Sequence, residues 1–294
     1  MPTITKQDIL NTLFEVGIEK GDVVQIHTSI KAIGYIEGGP QTVVDALLEA
    51  IGPEGTLVAP TFVFARKETD NPLVDPLTEP GDVGCINEAV RKHPKAVRSI
   101  AYTHSFAAIG PKAEWICGAD PRLSPFDLKS TFGRLLETDP KILLLGVAYT
   151  HCTAGHFCEY LSNVDYRYTY PLPMRILHPD GSVEQITTIQ YSPKPDIPYP
   201  PRNFNGSGAL MEELGLVRIT TLGNAYVRCY SMKRYVDLVT ENFAQGRNIL
   251  TYAPGQTSGT QLKDGYLIDE LYFDEKKQVQ VHSVRSVVSL EASK

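Results

Sequence analysis

KILLLGV (141–147) is followed, after a brief turn, by TAGHFCEYL (153–161), and the reading of this junction decides the fold. The first segment is the most continuous apolar run of strand length in the chain, the pattern of a strand buried on both faces. The second spaces its apolar residues as a helix does, with Thr153 at the N-cap position and His156 in the first turn. A buried strand feeding a helix is the unit of an α/β core. Similar units lie upstream: VVQIHTSI (23–30), the helical QTVVDALLEAIG (41–52) with Gly52 as its stop, and a second strand, GTLVAPTF (55–62). A helix over INEAVRKH (86–93) and an extended stretch, AVRSIAYTHSFAAIG (96–110), complete the first half. Strand–helix alternation of this kind predicts parallel strands with helices around them.

The second half reads differently. MRILHPDGSVEQITTIQYS (174–192) alternates on either side of Pro179-Asp180-Gly181, which predicts a hairpin. The loop PKPDIPYPPR (193–202) precedes a short helix near GALMEELG (208–215). LVRITTLGNAYVRCYSM (216–232) predicts another hairpin, turning at Gly223-Asn224, and KRYVDLVTENFAQ (233–245) a helix. From about 262 the tail reads as antiparallel strands, YLIDELYF and VQVHSVRSVVSL. The expected fold is α/β: a mixed central sheet with parallel core strands and flanking helices, plus an antiparallel β appendage from the second half and the C-terminal tail. No linker divides the chain, so one domain is expected over 1–294, with an α/β core (1–165) and an antiparallel remainder (166–294).

Composition excludes several classes of function. The net charge of −6, without any Lys/Arg cluster, argues against a nucleic-acid partner. No apolar run approaches a membrane span, and the N-terminus lacks the pattern of a secretory signal. Five cysteines without a CxxC pair read as reduced thiols, and the expected location is cytoplasmic.

HCTAGHFCEY (151–160) raises the question of a metal. His151 and His156 are five positions apart and face different sides of a helix. A zincin would place them at i and i+4 around a Glu, and Cys152 and Cys158 have no second pair. A site without metal is the better reading. In the first turn of a helix the dipole disfavours imidazolium, so His156 stays neutral near pH 7, as a general base must. Glu159, at i+3, lies on the same face and either orients the ring or is a solvated helix position. Two polar triplets leave strands in the same manner: His27-Thr28-Ser29 and Thr103-His104-Ser105. Their hydroxyls and backbone amides suit a pantetheine arm or a pyrophosphate, and equally the ordinary capping of a turn.

The blocks VVQIHTSIKAIGYIEGGPQTVVDALLEAIGPEGTLVAPTF, RSIAYTHSFAAIGPKA, FGRLLETDPKILLLGV and TAGHFCEY resemble, in order, those of the aminoglycoside 3-N-acetyltransferase family. The resemblance runs from about residue 5 to about 245, with LGNAYVRCY echoing a late block, and the tail extends past the family's usual end. It implies an acetyl-CoA-dependent N-acetyltransferase with its own fold, using acetyl-CoA as cosubstrate and no metal. The base it implies is the histidine three residues after a threonine, here His156 after Thr153, the residue reached above. Coenzyme contacts are implied in the two polar triplets, at Thr28, Ser29 and Ser105, flanked by His27 and Thr103. The coenzyme side would then fall in 1–165 and the acceptor side in 166–294. The SPF block (124–126) implies substrate contacts at Ser124 and Phe126, although DLKST here separates it from the following GRL.

The implied partners are a small-molecule amine and acetyl-CoA, and a homo-oligomer is compatible with the sequence. Direct transfer without an acyl-enzyme is expected, Cys158 pointing away from His156. The acceptor is read from 162–210, which is poor in acids but carries Arg167, Arg175, Lys194 and Arg202 with Tyr166, Tyr168, Tyr170, Tyr191 and Tyr199. Aromatic faces and arginines suit a base and a diphosphate better than a polycation. The expected acceptor is therefore a nucleotide-linked amino sugar touching Tyr166, Arg167 and Tyr170. An aminoglycoside, with antibiotic resistance as the consequence, is the alternative. Coenzyme binding without catalysis is a third reading.

Overall fold

The structure is a computed structural model that describes residues 3–64, 66, 70–252, 258–261, 267–274 and 279–284. Helix α1 (Lys6–Glu15) opens the chain behind a reciprocal cap: the Asp8 N–H donates to the Thr5 hydroxyl at 3.2 Å and the Thr5 N–H to the Asp8 carboxylate at 2.8 Å. Strand β1 (Val23–Thr28) leads through α2 (Ile30–Ile33) and α3 (Gly39–Ile51) to β2 (Thr56–Pro60). There follow β3 (Leu73–Val74), α4 (Cys85–Arg91), β4 (Val97–Arg98), β5 (Phe106–Ile109), α5 (Ala113–Cys117), α6 (Thr131–Thr138) and β6 (Lys141–Leu145). The second half holds α7 (Ala154–Leu161), β7 (Arg167–Leu177), β8 (Val183–Pro193), α8 (Phe204–Glu213), β9 (Arg218–Leu222), β10 (Ala225–Ser231) and α9 (Met232–Ala244). The tail strands β11 (Ser258–Gln261), β12 (Leu267–Asp274) and β13 (Val279–Val284) form an antiparallel sheet of their own.

Seven strands make the central sheet in the order β4-β5-β2-β1-β6-β10-β9. β1 runs parallel to both β2 and β6, and the outer pairings are antiparallel. Strand periodicity divides the core between the two faces. Leu143 and Leu145 pack with α1, α3 and α4, whereas Ile142 and Leu144 pack with α6, α7 and α9. Gln25 and His27 follow Val23 on β1 and therefore lie on the same face as α7. The chain leaves β1 for β2 on one side, and β6 later adds on the other. The carboxyl ends of β1 and β6 thus flank a switch in strand order, where open α/β sheets bind ligands.

The hairpin β9–β10 extends the central sheet through β10 on β6, while β7–β8, joined by β3, form the separate layer. Pro171 and Pro173 share their edge with Arg175, whose N–H donates to the Pro72 carbonyl rather than to β8. The missing donors therefore lie along the edge of β7, where they cost no rung of the hairpin ladder and discourage pairing with another chain. The expected single extension over 96–110 instead folds back on itself, with β4 and β5 antiparallel and Ser99 N–H donating to the Phe106 carbonyl at 2.8 Å. The loop between them carries Tyr102, Thr103 and His104.

Helix α8 begins earlier than the sequence suggests, at Phe204, because Asn203 caps it through the Gly206 N–H at 2.9 Å. Glu212 of α8 is buried; it accepts from Arg228 Nε at 2.8 Å and from the Tyr149 hydroxyl at 2.9 Å. This network fastens the turn between β6 and α7. No helix among the described residues is long and apolar enough to cross a membrane.

Candidate active site

His156 occupies the first turn of α7, its N–H donating to the Thr153 carbonyl at 2.9 Å. Thr153 stands at the N-cap position, but its backbone is already helical (φ −66°, ψ −12°) and its hydroxyl makes no capping bond. Thr153 lines a cavity. Gly155 permits a close approach at this point: a Cβ there would meet the Phe204 ring at 2.7 Å, and that ring packs edge-on to His156 at 5.0 Å.

Glu159 is no solvated helix position; its side chain is fully buried. One carboxylate oxygen lies 2.6 Å from His156 Nδ1 and 2.8 Å from Arg167 Nε. The other accepts from the hydroxyls of Tyr166 and Tyr199, each at 3.1 Å. Asn248 donates to the Tyr166 hydroxyl at 3.3 Å, and the Arg167 guanidinium stacks over Tyr191 and Tyr199 at 4.9 and 5.2 Å. Burial alone would push the Glu159 carboxyl up; His156, Arg167 and Tyr199 more than offset this and hold it below its ordinary value. An ionised Glu159 accepts the proton of Nδ1, which leaves the lone pair on Nε2, where Arg202 Nη1 lies at 3.4 Å.

Burial, rather than the helix dipole, is the main reason His156 stays neutral. It pushes the imidazole down to about 4; Glu159 opposes the shift, and Arg167 and Arg202 add to it. An NMR titration of the imidazole nitrogens is expected to show the Nδ1–H tautomer persisting below pH 5, with a midpoint near about 4. A midpoint at the ordinary 6.5 would contradict this account. Since the folded value lies below the unfolded one, the associated stability is complete above 6.5 and is lost as the pH falls towards about 4.

Two cavities meet at this ring. The larger, about 540 Å³, opens at the carboxyl ends of β1, β2 and β6 and is lined by His27, Thr28, Ser29, Thr153 and Arg202, among others. The smaller, about 320 Å³, is walled by Tyr102, Thr103, Phe126, Tyr170 and Tyr191. His104 and His156 line both.

The residues expected from the sequence divide accordingly. His27 is buried at 3.2 Å from Gln25 Nε2, and burial, with His151 adding to it, pushes its imidazole down to about 3. Thr28 donates to Asn87 Oδ1 at 3.1 Å, and the Ser29 N–H donates to the Leu145 carbonyl at 2.9 Å. Thr103 lines the smaller cavity, not the larger. Ser105 lines neither: its buried hydroxyl donates to the Thr61 carbonyl at 2.8 Å and ties the start of β5 to the end of β2. Ser124 is also outside both cavities, in a crevice where its hydroxyl accepts from the Phe126 N–H at 3.4 Å. Phe126 has its ring 6.4 Å from that of His156.

Tyr166 and Arg167 both bind Glu159, because a buried carboxylate needs its charge and lone pairs met by neighbours, and Arg167 also lines the smaller cavity beside Tyr170. The arginines expected to hold a diphosphate are dispersed: Arg167 lines the smaller cavity but is paired with Glu159, Arg202 lines the larger, and Arg175 donates to the Asn71 carbonyl at 3.2 and 3.3 Å. Cys152 and Cys158 are buried, burial raising the Cys152 thiol to about 11 and the Cys158 thiol well above its ordinary value, so neither is a ready nucleophile. Among the described residues no three His, Cys, Asp or Glu side chains are placed to hold a metal ion. Arg202, whose Nη1 lies 3.4 Å from His156 Nε2, is among the arginines expected to suit a diphosphate, not a neighbour of the base. No spacing links it to His156, 46 positions upstream.

A neutral histidine held by a buried carboxylate and bordering two cavities is the arrangement that general-base chemistry requires. The chain belongs to the aminoglycoside 3-N-acetyltransferase family, which matches residues 26–244. Aminoglycoside N(3)-acetyltransferase IV of Salmonella sp is 34% identical over 161 residues, 55% of this chain and 60% of its own length. Aminoglycoside N(3)-acetyltransferase VIII of Streptomyces fradiae is 35% identical over 173 residues, 53% of this chain and 60% of its own. The chain thus spans about three fifths of the length of these curated relatives. Among solved structures, the aminoglycoside acetyltransferase AAC(3)-Xa superposes with a TM-score of 0.72 at 28% identity, over 84% of this chain and 94% of its own. AAC-VIa bound to sisomicin gives 0.70 at 26% identity, over 84% and 99%.

Proposed function

We propose that this protein transfers the acetyl group of acetyl-CoA to an amine of an aminoglycoside, directly and without an acyl-enzyme. The observation that carries the reading is the neutral His156, fixed through Nδ1 by Glu159 and bordering both cavities. The thioester arm occupies the larger cavity, along His27, Thr28 and Ser29, and the acceptor enters through the smaller, along Phe126, Tyr170 and Tyr191. Residues 1–165 then form most of the coenzyme side, and the hairpin at the start of 166–294 completes the acceptor side. An amine nitrogen is mostly protonated at pH 7 and must lose a proton to attack. That first proton leaves to solvent; His156 Nε2 then accepts a proton from the neutral amine as the nitrogen–carbon bond forms, and returns it to the thiolate as the carbon–sulfur bond breaks.

The names and sequence similarity of the curated relatives support an aminoglycoside acceptor, and the arrangement of the arginines removes the main support for a nucleotide-linked one. Asp82 is the carboxylate lining the larger cavity among the described residues, while tyrosine faces and hydroxyls line the smaller. Sugar faces and hydroxyls therefore carry much of the recognition. The test is thiol release from acetyl-CoA over a panel of aminoglycosides and nucleotide-linked amino sugars. Acetylation of aminoglycosides alone is expected. Turnover of nucleotide amino sugars alone, or coenzyme A binding without turnover of any amine, would contradict the reading.

A further inference from the structure

We propose that Arg202 is a second catalytic residue, donating a hydrogen bond to the carbonyl oxygen of the acetyl group as it becomes an oxyanion. This rests on the acetyl-transfer reading above and adds a group that the reading itself does not require.

Attack by the amine nitrogen on the thioester carbonyl moves the π electrons onto oxygen, while the nitrogen's proton passes to His156 Nε2. Collapse of the tetrahedral centre re-forms the carbonyl, breaks the carbon–sulfur bond and sends the proton from His156 to the departing sulfur. The oxygen carries a full charge only between these events, and a donor aimed at that position speeds both.

Three observations select Arg202. It lines the larger cavity, where the thioester sits, and not the smaller one, so it approaches His156 from the side opposite the incoming amine. Its Nη1 is 3.4 Å from His156 Nε2. An amine nitrogen held by Nε2 stands about 3 Å away and its target carbon about 3–3.5 Å further in a near-attack arrangement. Once the amine inserts, a guanidinium 3.4 Å from Nε2 lies within reach of the oxygen on that carbon. Lastly, Glu159 is neutralised by Arg167 at 2.8 Å and bonded by Tyr166 and Tyr199, so the Arg202 charge is not needed to balance it. The same positive charge disfavours imidazolium and keeps Nε2 a proton acceptor until the oxyanion forms.

Thr153 is the competing donor, since it carries a hydroxyl and lines the same cavity. The experiment compares Arg202→Lys, Arg202→Gln, Arg202→Ala and Thr153→Val by steady-state kinetics, with coenzyme A binding measured by calorimetry. Arg202→Gln and Arg202→Ala should lower kcat by about 10²–10³-fold, with both KM values and coenzyme A affinity changed only a few-fold. Arg202→Lys should retain more activity than either, and added guanidinium ion should partly restore Arg202→Ala. The slow hydrolysis of acetyl-CoA, in which water replaces the amine, forms the same oxyanion and should fall in parallel. An enzyme that hydrolyses acetyl-CoA yet acetylates no amine would count against the acceptor reading while still testing Arg202. The proposal is overturned if the Arg202 variants keep kcat within about fivefold, if the loss appears only as weaker coenzyme A binding, or if Thr153→Val alone carries it.

Discussion

Replacing His156 with alanine is expected to lower kcat by about 10²–10⁴-fold while coenzyme A binding, measured calorimetrically, changes only a few-fold. The ring is one of many residues lining the larger cavity, and His27, Thr28 and Ser29 remain in place. What disappears is the acceptor for the amine's proton. The packing cost is limited, since 14% of the ring is exposed and one face already borders a cavity. A loss smaller than tenfold would mean that another group takes the proton.

Glu159→Gln is the second large effect, and it separates the tautomer from the shape. The amide is nearly isosteric, but its NH₂ end can donate to Nδ1, which moves the imidazole proton to Nε2 and abolishes the base. Activity should fall by roughly 10²–10⁴-fold. The substitution also leaves the Arg167 guanidinium buried without its carboxylate, 8% of its side chain exposed. Losing one partner of such a pair costs about 3–5 kcal/mol, which should appear as a clear drop in the thermal midpoint. Glu159→Gln combined with Arg167→Met should recover much of that stability and none of the activity. Full activity in the single variant would remove Glu159 from the mechanism.

The sequence made the base legible because everything that defines it is local. KILLLGV reads as a strand, the next apolar pattern as a helix, and the spacing of His156 and Glu159 puts them on one face. The helix α1 is legible too, through the Thr5–Asp8 cap, although it lacks the long apolar run that marks the core strands. The amphipathic α6 was hidden because DLKST looked like an interruption of a motif, whereas it is the turn that ends at Ser130, the N-cap position of that helix.

Charge in the second half misled for a different reason. Arg167 and Tyr166 look like ligand contacts when each is taken as an exposed side chain, and only the fold shows that they surround Glu159. Sequence cannot say which charges are buried together when they come from different elements. Ser105 was misplaced for the converse reason: a hydroxyl at a strand end can as well be spent on a neighbouring strand's carbonyl, and here Thr61 takes it. His104, between two residues that were chosen, proves to be the one that borders both cavities.

The central claim is that the two substrates meet at Nε2 of His156 from opposite cavities. A crystal structure of the ternary complex with coenzyme A and an aminoglycoside tests it most directly. The account predicts the thiol in the larger cavity and an acceptor amine entering from the smaller, its nitrogen within about 3.2 Å of Nε2. An amine hydrogen-bonded to some other base, or both ligands seated in the larger cavity with Nε2 out of reach, would contradict it.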